Sequence, residues 1–344
     1  MICLGIMLAL LTAPATPAAE FLSAMPDKPV KMIFDTDIGN DVDDALALGV
    51  IHALQSRGEC ELLAVTITKD HEESVPCVDA INHFYGRGGI PIGIVKGGVT
   101  PQQSKFTAVA RKKEGDALKY PHDQLTGDDA PDATEVLRKT LAAQDDGSVV
   151  IVQVGFSTNL ARLLDSEGDE FSPLNGKELA AQKVKCISIM AGAFEDIPGS
   201  PDHREYNVVM DVPPAQKLVE EWPTPIIFSG YEIGLAITFP AVTIDHDFAY
   251  AEKHPLPEAY QMYEPTPHER PCWDLTSVLW AVRPDRGYYD LSPAGKVTVT
   301  EEGWTPFEAQ PEGKHFYLIA DAVQHARSRE ALALLATQPP DGKK

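Results

Sequence analysis

Short apolar segments alternate with segments of helical spacing over the first two thirds of the chain. Apolar runs bounded by turn residues predict strands, and apolar residues recurring every three or four positions predict helices. The predicted strands are 30–34, 61–68, 90–95, 148–154, 184–190 and 225–229. The predicted helices are 43–58, 75–85, 133–143, 159–164 and 213–222. This alternation predicts an α/β fold with an open, mainly parallel, Rossmann-like sheet flanked by helices.

The alternation weakens after residue 231. A helix at 272–282, a closing amphipathic helix at 321–335 and a small C-terminal β-hairpin between 296–300 and 316–319 are predicted there. The long polar stretch 96–131 is typical of a functional or mobile loop. Because no repeat or linker divides the chain, we predict a single α/β domain over 28–336, followed by a disordered tail over 337–344.

The first nineteen residues carry no charged side chain, and an apolar run there precedes Ala, Pro and Thr. This pattern predicts a secretory signal peptide over residues 1–19, although Lys and Arg are missing from its start. The run is too short to predict a membrane span. We therefore expect an exported protein, periplasmic or secreted. If the segment is not a signal, the expectation is a cytoplasmic protein.

The net charge of the chain restricts the classes of partner that it is expected to bind. The chain has 29 Lys and Arg against 51 Asp and Glu, a net charge of −22 without a basic run. Nucleic acids and anionic membranes require a basic surface, so neither is an expected partner. Cys60, Cys77, Cys186 and Cys272 lack zinc-binding spacing. Disulfides and buried thiols both remain open for them, with Cys60 and Cys77 the nearest pair in sequence.

The densest charge follows the first predicted strand, where Asp35, Asp37, Asp41, Asp43 and Asp44 lie ahead of an apolar helix. Hard cations such as Ca²⁺ and Mg²⁺ bind several carboxylate oxygens, so the cluster predicts a cation site. A helix cap needs only one aspartate, and a solvated acidic loop is the remaining structural explanation.

Known acidic loops offer two further interpretations. An EF-hand is excluded because Gly39 stands where that loop needs an oxygen ligand. A phosphatase of the haloacid dehalogenase class also begins with a strand and Asp-x-Asp, and Asp35 would then be its nucleophile. That alternative is weaker, because Gly39 replaces the Thr or Val of the phosphatase pattern.

The acidic stretch resembles the N-terminal signature of the inosine–uridine-preferring nucleoside hydrolase family, with two extra residues before its paired aspartates. Three further motifs resemble those of the family in the same order. They are Val154-Gly155-Phe156-Ser157-Thr158-Asn159, Met190-Ala191-Gly192 followed by Glu205-Tyr206-Asn207, and Trp273-Asp274-Leu275. Asp211 also falls where the family tends to have Asp. The resemblance extends from about residue 32 to residue 282.

The resemblance implies one bound Ca²⁺. Its ligands would be the side chains of Asp37, Asp44 and Asp274 and the main-chain carbonyl of Thr158. Asp37 would also be the general base that takes a proton from the attacking water.

The resemblance also assigns substrate contacts. The residues implied to bind ribose or base are Asp43, Met190, Glu205, Tyr206, Asn207 and Trp273. Asp35 and Asn159 would support the site, and Asp41 receives no role. Trp273 stands where many members have His as the acid for the leaving base, so His122 and His268 are considered as replacements. Lys69-Asp70 replaces the family's Gly-Asn, which puts one ribose contact in doubt.

These implications together predict calcium-dependent hydrolysis of the N-glycosidic bond of ribonucleosides to free base and ribose, in purine or pyrimidine salvage. The expected partner is a small nucleoside, and the expected assembly is a homo-oligomer, either dimer or tetramer. Two alternatives stay open: an exported ribose- or nucleoside-binding protein without turnover, and the weaker phosphatase.

Overall fold

The computed structural model describes residues 29–341, so the predicted signal peptide and residues 342–344 lie outside the described part. The strands are β1 (Val30–Thr36), β2 (Cys60–Ile67), β3 (Ile92–Ile94), β4 (Lys113–Glu114), β5 (Ala117–Leu118), β6 (Val149–Gln153), β7 (Val184–Met190), β8 (Ile226–Ser229), β9 (Asp290–Leu291), β10 (Gly295–Val297), β11 (Phe307–Ala309) and β12 (His315–Ile319).

Helices connect most of these strands, as the alternation predicts. They are α1 (Asp43–Ser56), α2 (Ser74–Phe84), α3 (Ala133–Ala142), α4 (Thr158–Asp165), α5 (Gly176–Lys183), α6 (Tyr206–Val209), α7 (Val212–Glu221), α8 (Tyr231–Ala236), α9 (Ala241–His246), α10 (Pro255–Tyr263), α11 (Trp273–Val282) and α12 (Ala322–Ala336). A 3₁₀ helix occupies Thr107–Arg111.

The main sheet has the strand order β11-β10-β12-β8-β7-β6-β1-β2-β3, and β9 pairs with β12. All pairings from β3 to β12 across the centre are parallel, whereas β9, β10 and β11 pair antiparallel at the C-terminal edge. The predicted α/β fold with a mainly parallel sheet is therefore confirmed.

Helices cover both faces of the sheet, because the side chains of each central strand alternate between two apolar layers. In β1, Met32 and Phe34 join the layer that includes α1, α11 and α12. Ile33 lies between them and joins the opposite layer, which includes α3, α4 and α7. Burial on both faces explains why the central strands read as continuous apolar runs.

The structure differs from the predicted elements in three places. The helix α5 was not predicted, and α8, α9 and α10 occupy the region where the pattern weakens. The predicted antiparallel pairing of β10 with β12 is present but short, with Gly295 opposite His315. The strand β11 pairs with the other edge of β10, and β8 pairs parallel with the other edge of β12. The three-residue strand β11 lacks a distinctive pattern, so it was not predicted between these two strands. The stretch 96–131 contains the small β4–β5 sheet.

The four described cysteines are free, buried thiols, which excludes the disulfide alternative among them. Within residues 29–341, none of the helices is both long and apolar enough to span a membrane. At the start of the predicted tail, Arg57 Nε donates a hydrogen bond of 2.6 Å to the Gln338 side chain.

The parallel order places β1 beside β6 at the centre of the sheet, with β2 and β3 on one side and β7 and β8 on the other. Chain connections therefore leave in opposite directions from β1 and β6. Open α/β sheets bind ligands in the crevice beyond the carboxyl ends of strands at such a switch point. The acidic loop after β1 and the turn after β6 both lie there.

Candidate active site

A pocket of about 360 Å³ opens at the carboxyl ends of β1, β6 and β7. Its wall brings together the predicted metal carboxylates Asp37, Asp44 and Asp274 with all the predicted substrate residues, which are Asp43, Met190, Glu205, Tyr206, Asn207 and Trp273. It does not include Asp35, Thr158 or Asn159. The wall also contains residues without a predicted role, namely Asn40, Asp41, Val154, Tyr231, Tyr263 and Arg270.

Three buried carboxylates meet in the wall of this pocket. Asp43 and Asp44 lie in the first turn of α1, and Asp274 lies in the first turn of α11. One oxygen of each lies within 4.8 Å of an oxygen of both others. The main-chain N–H of Asp274 donates to Asp43 Oδ2 at 3.0 Å, which joins the two helix N-termini.

The electrostatics of this three-aspartate cluster favour a bound cation. Burial, followed by repulsion from neighbouring aspartates, raises the pKa of Asp44 and Asp274 well above its ordinary value. Thr36 donates a hydrogen bond to Asp44 Oδ1, but the buried Oδ2 has no hydrogen-bond partner among the described residues. Helix capping does not explain the cluster, because the N-cap of α1 is Val42 and makes no side-chain cap bond. An all-carboxylate donor set with an unsatisfied buried oxygen fits a hard divalent cation.

Asp37 lines the pocket but is not one of the residues of this cluster. Its pKa is raised to about 6, chiefly by burial. Asn40 Nδ2 donates to Asp37 Oδ2 at 2.7 Å, and Lys69 Nζ donates to Asn40 Oδ1 at 2.8 Å. Lys69 also donates to the Thr100 carbonyl at 2.7 Å. A buried lysine therefore fixes the amide that orients Asp37.

Two glycines permit this close packing. Gly39 has φ +117°, and a Cβ there would lie 2.8 Å from Lys69 Cδ. A Cβ on Gly155 would lie 2.5 Å from the main-chain nitrogen of Asp37. Larger residues at these positions would separate the acidic loop from Lys69 and from the turn after β6.

The opposite wall is built by the loop that leads into α6. Glu205 is the N-cap of α6 and accepts hydrogen bonds from the main-chain N–H groups of Asn207 at 2.7 Å and Val208 at 3.1 Å. Burial raises the pKa of Glu205 to about 7. Asn207 Nδ2 donates to the carbonyls of Val154 at 3.0 Å and Met190 at 3.2 Å. These contacts hold the amide of Asn207 across the ends of β6 and β7.

The turn after β6 places Val154, rather than Thr158, in the pocket wall. Thr158 is the first residue of α4, and its hydroxyl donates to Asp211 Oδ2 at 2.8 Å. A carbonyl in the first helical turn points along the helix toward its C-terminus. For that reason the structure does not bring the predicted Thr158 carbonyl to the site. It brings Val154, four residues earlier, instead.

Asp35 and Asn159 lie behind the pocket. The Asp35 carboxylate accepts hydrogen bonds from Thr66 Oγ1 at 2.5 Å and from Asn159 Nδ2 at 2.8 Å. Burial raises the pKa of Asp35 to about 7. Asp35 is fully buried and absent from the pocket wall, so a substrate phosphate has no access to it. This position argues against the phosphatase alternative.

The outer wall is aromatic and contains an ion pair. Arg270 Nε lies 2.9 Å from both carboxylate oxygens of Asp41, and Arg270 Nη2 donates to Asp41 Oδ2. The guanidinium carbon lies 5.1 Å from the ring centre of Tyr263 and 5.0 Å from that of Trp273. Trp273 stacks on Tyr231 at 5.3 Å and donates its indole N–H to the Tyr231 carbonyl at 2.9 Å.

Sequence reasoning missed Arg270, Tyr231 and Tyr263. The available signals in the sequence were Asp41, which had no assigned role, and the basic residue Arg270 shortly before Trp273. The candidate acids His122 and His268 are both absent from the pocket wall. His122 contacts the Tyr120 carbonyl at 2.7 Å, and His268 lies 3.6 Å from Glu264.

Residues 32–326 match the family model described as inosine-uridine preferring nucleoside hydrolase. The chain belongs to this family. An uncharacterized protein of Schizosaccharomyces pombe is 26% identical over 274 residues, which cover 74% of this chain and 81% of that protein. Membership of the nucleoside hydrolase family supports an N-ribosyl hydrolase activity, and the cluster of aspartates agrees with the metal dependence of the family.

Two solved structures illustrate the shared fold. An inosine-uridine preferring nucleoside hydrolase from Bacillus anthracis has a TM-score of 0.65 at 17% identity, covering 89% of this chain and 99% of that chain. A purine-preferring ribonucleoside hydrolase from Gardnerella vaginalis has a TM-score of 0.66 at 19% identity, with coverage of 89% and 99% respectively. At these identities the similarity shows the nucleoside hydrolase fold alone.

Proposed function

We propose that the protein is a calcium-dependent nucleoside hydrolase that converts ribonucleosides to free base and ribose. One observation carries the proposal: the three-aspartate cluster shares a pocket with Asp37 on one side and with Glu205 and Asn207 on the other. A cation site, a candidate base and polar groups suited to ribose hydroxyls therefore face one cavity.

The cation would be held by the carboxylates of Asp44 and Asp274, with Asp37 and Asp43 beside them. A main-chain carbonyl ligand is better assigned to Val154 than to Thr158, because Val154 lies in the pocket wall and Thr158 does not. Calcium takes six to eight oxygen ligands, so water and ribose hydroxyls would complete the shell. When bound, the ion supplies a Lewis acid that lowers the pKa of coordinated water.

The remaining chemistry belongs to the side chains. Asp37 accepts the proton of the attacking water as general base, while Asn40 and Lys69 hold it in place. Asp43 and Asn207 bind ribose hydroxyls, and Glu205 fixes the loop that carries Asn207. Breaking the bond from C1′ to the base nitrogen places positive charge on the sugar. Nearby carboxylates stabilise that charge electrostatically.

The test is the release of free base from a panel of purine and pyrimidine ribonucleosides, first in chelator and then after addition of Ca²⁺. We expect activity only with calcium. Asp37→Ala should lower kcat about 10³-fold, as expected for loss of a general base. The control Asp129→Ala removes an exposed aspartate outside the pocket and should leave kcat unchanged.

The outcomes separate the alternatives. No release from any nucleoside with calcium present would refute the hydrolase proposal. Tight nucleoside binding without turnover would favour the exported binding protein, and magnesium-dependent phosphate release would favour the phosphatase. Export and assembly into a homo-oligomer, either dimer or tetramer, are also proposed. The size of the purified particle and the N-terminal sequence of the mature protein test them.

A further inference from the structure

Cleavage of a nucleoside leaves the bonding electron pair on the departing base. A protein group that donates a proton or a hydrogen bond to the base lowers the barrier to this step. Trp273 occupies the position before Asp274, and none of the residues in the described pocket wall is a histidine. The group that assists departure must therefore be sought among other donors.

Among residues 29–341, Arg270 is the only cationic side chain in the pocket wall. The position of its guanidinium is fixed, because Asp41 binds one edge and the rings of Tyr263 and Trp273 flank it. The side chain is 23% exposed, so the group combines a fixed position with access to the pocket. A partly desolvated, fixed cation interacts more strongly with developing negative charge than a solvated one does.

Asp41 does not use all the N–H donors of the Arg270 guanidinium. The guanidinium carries five N–H groups, of which Nε and Nη2 contact Asp41. Nη1 has no hydrogen-bond partner within the described part of the chain. The two N–H groups of Nη1 and the second N–H group of Nη2 therefore remain for a ligand. A base that enters the pocket beside Trp273 would bring its polar edge near these donors, since the guanidinium carbon lies over that ring at 5.0 Å from its centre.

We propose that Arg270 binds the leaving base and stabilises the negative charge that it acquires. This inference rests on the proposed hydrolase function. The C1′–N bond breaks with both electrons passing to the base nitrogen, while water adds its oxygen to C1′ and its proton to Asp37. Arg270 remains protonated throughout, because a guanidinium does not act as an acid near neutral pH. The anionic base then takes its proton from solvent water.

Asp41 acts in this scheme as a positioning residue. It lies in the two-residue extension of the acidic loop, and its carboxylate grips the edge of Arg270 that faces away from the free Nη1. The extension thus acquires a role. It supplies the carboxylate that holds the Arg270 guanidinium in one position.

The test compares inosine with 4-nitrophenyl β-D-ribofuranoside, whose phenolate leaves without assistance. With calcium bound, Arg270→Gln should lower kcat about 10²-fold on inosine, as for removal of one charge-stabilising donor. The same substitution should change kcat on the nitrophenyl riboside less than threefold. Arg270→Lys should recover part of the inosine rate. Asp41→Asn should lower the inosine rate by a smaller factor.

Arg329→Gln is the matched control, because Arg329 pairs with Glu269 outside the pocket wall. It should leave the ratio of the two rates unchanged. Equal losses on both substrates in Arg270→Gln would make Arg270 structural and overturn the inference while leaving the hydrolase function intact. Absence of turnover of either substrate by the unaltered protein would overturn both proposals.

A proton-donating histidine is the competing explanation. His203 packs against Tyr231 with ring centres 3.8 Å apart and the ring planes tilted by 34°. Its buried Nε2 has no hydrogen-bond partner among the described residues. Under our proposal, His203→Asn retains the selectivity for inosine over the nitrophenyl riboside. A loss confined to inosine in His203→Asn, together with disappearance of the alkaline limb of its pH profile, would assign the role to His203 instead.

Discussion

Asp44→Asn should stabilise the protein when calcium is absent, and this advantage should shrink to near zero when calcium is present. The substitution keeps the shape of the side chain and an oxygen that accepts the Thr36 hydrogen bond. It removes one charge from the three-aspartate cluster, in which the oxygens of Asp43, Asp44 and Asp274 lie within 4.8 Å of one another. The size of the effect therefore depends on whether a cation is bound.

The magnitude follows from that spacing. Two unit charges 4.8 Å apart repel by about 3.5 kcal/mol at an effective dielectric constant of about 20. Loss of two such pairs would amount to about 7 kcal/mol if all three carboxylates kept their charge. Carboxyl groups relieve repulsion by taking up protons, so we expect about 2–4 kcal/mol at pH 8. Calcium at 100 times its Kd should stabilise the unaltered protein by about 2.7 kcal/mol and the variant by far less.

The pH dependence has a definite sign. A carboxyl whose pKa is raised in the folded state keeps its proton when the unfolded state has lost it. Folding is therefore favoured at low pH, and this contribution is lost as pH rises through the folded pKa. The folded pKa is raised from 3.8 to about 6 for Asp37 and to about 7 for Asp35, chiefly by burial. The metal-free protein should lose stability between about pH 4 and 7, and Asp44→Asn should lose less.

The measurement is urea unfolding of both proteins at pH 5 and pH 8, each in chelator and in excess calcium. A less stable Asp44→Asn in chelator at pH 8 would refute the repulsion argument. An unaltered protein that gains no stability from calcium would refute the cation assignment. Asp129→Asn, at an exposed site outside the pocket, is the matched control and should show neither effect.

Three further predictions address the surroundings of the site. Lys69→Met should lower kcat about tenfold, because Asn40 loses the partner that orients it toward Asp37. Lys69→Arg should not recover this rate, since Gly39 leaves no room for a larger group, and recovery in steady-state kinetics would contradict the packing argument. Trp273→Ala should raise the nucleoside KM about 5- to 150-fold, from a stacking loss of about 1–3 kcal/mol, and Trp273→Phe should restore most of the affinity. An unchanged KM in Trp273→Ala would place the base elsewhere. Reductant should not change the Tm, and thiol titration in denaturant should find Cys60, Cys77, Cys186 and Cys272 free; a missing pair would indicate a disulfide.

The central sheet was predictable from sequence because its strands are buried on both faces. The β6 sequence Val-Val-Ile-Val-Gln is apolar except at its last residue, and it needs no partner to identify it as a central strand. The two-residue strand β9 and three-residue strand β10 carry too few residues for a pattern. Their pairing is decided by tertiary contacts, so the place of β12 between β10 and β8 was not predictable from sequence.

The candidate site was predictable only where motifs are local. Asp43 and Asp44 adjoin in sequence, and the resemblance supplied Asp274. The pairing of Asp41 with Arg270 joins residues 229 positions apart and leaves no local signal. The orientation of the Thr158 carbonyl was not predictable either, because only the structure shows that α4 begins at Thr158.

The hydrogen bond from the Asp274 main chain to Asp43 joins residues 231 positions apart. During synthesis, the acidic loop leaves the ribosome long before the helix α11 that completes its cation site. A nascent chain that stops before residue 274 therefore carries Asp43 and Asp44 without their third carboxylate. Under the proposed calcium assignment, metal loading follows completion of almost the whole domain, and calcium retention measures whether a given molecule has finished folding.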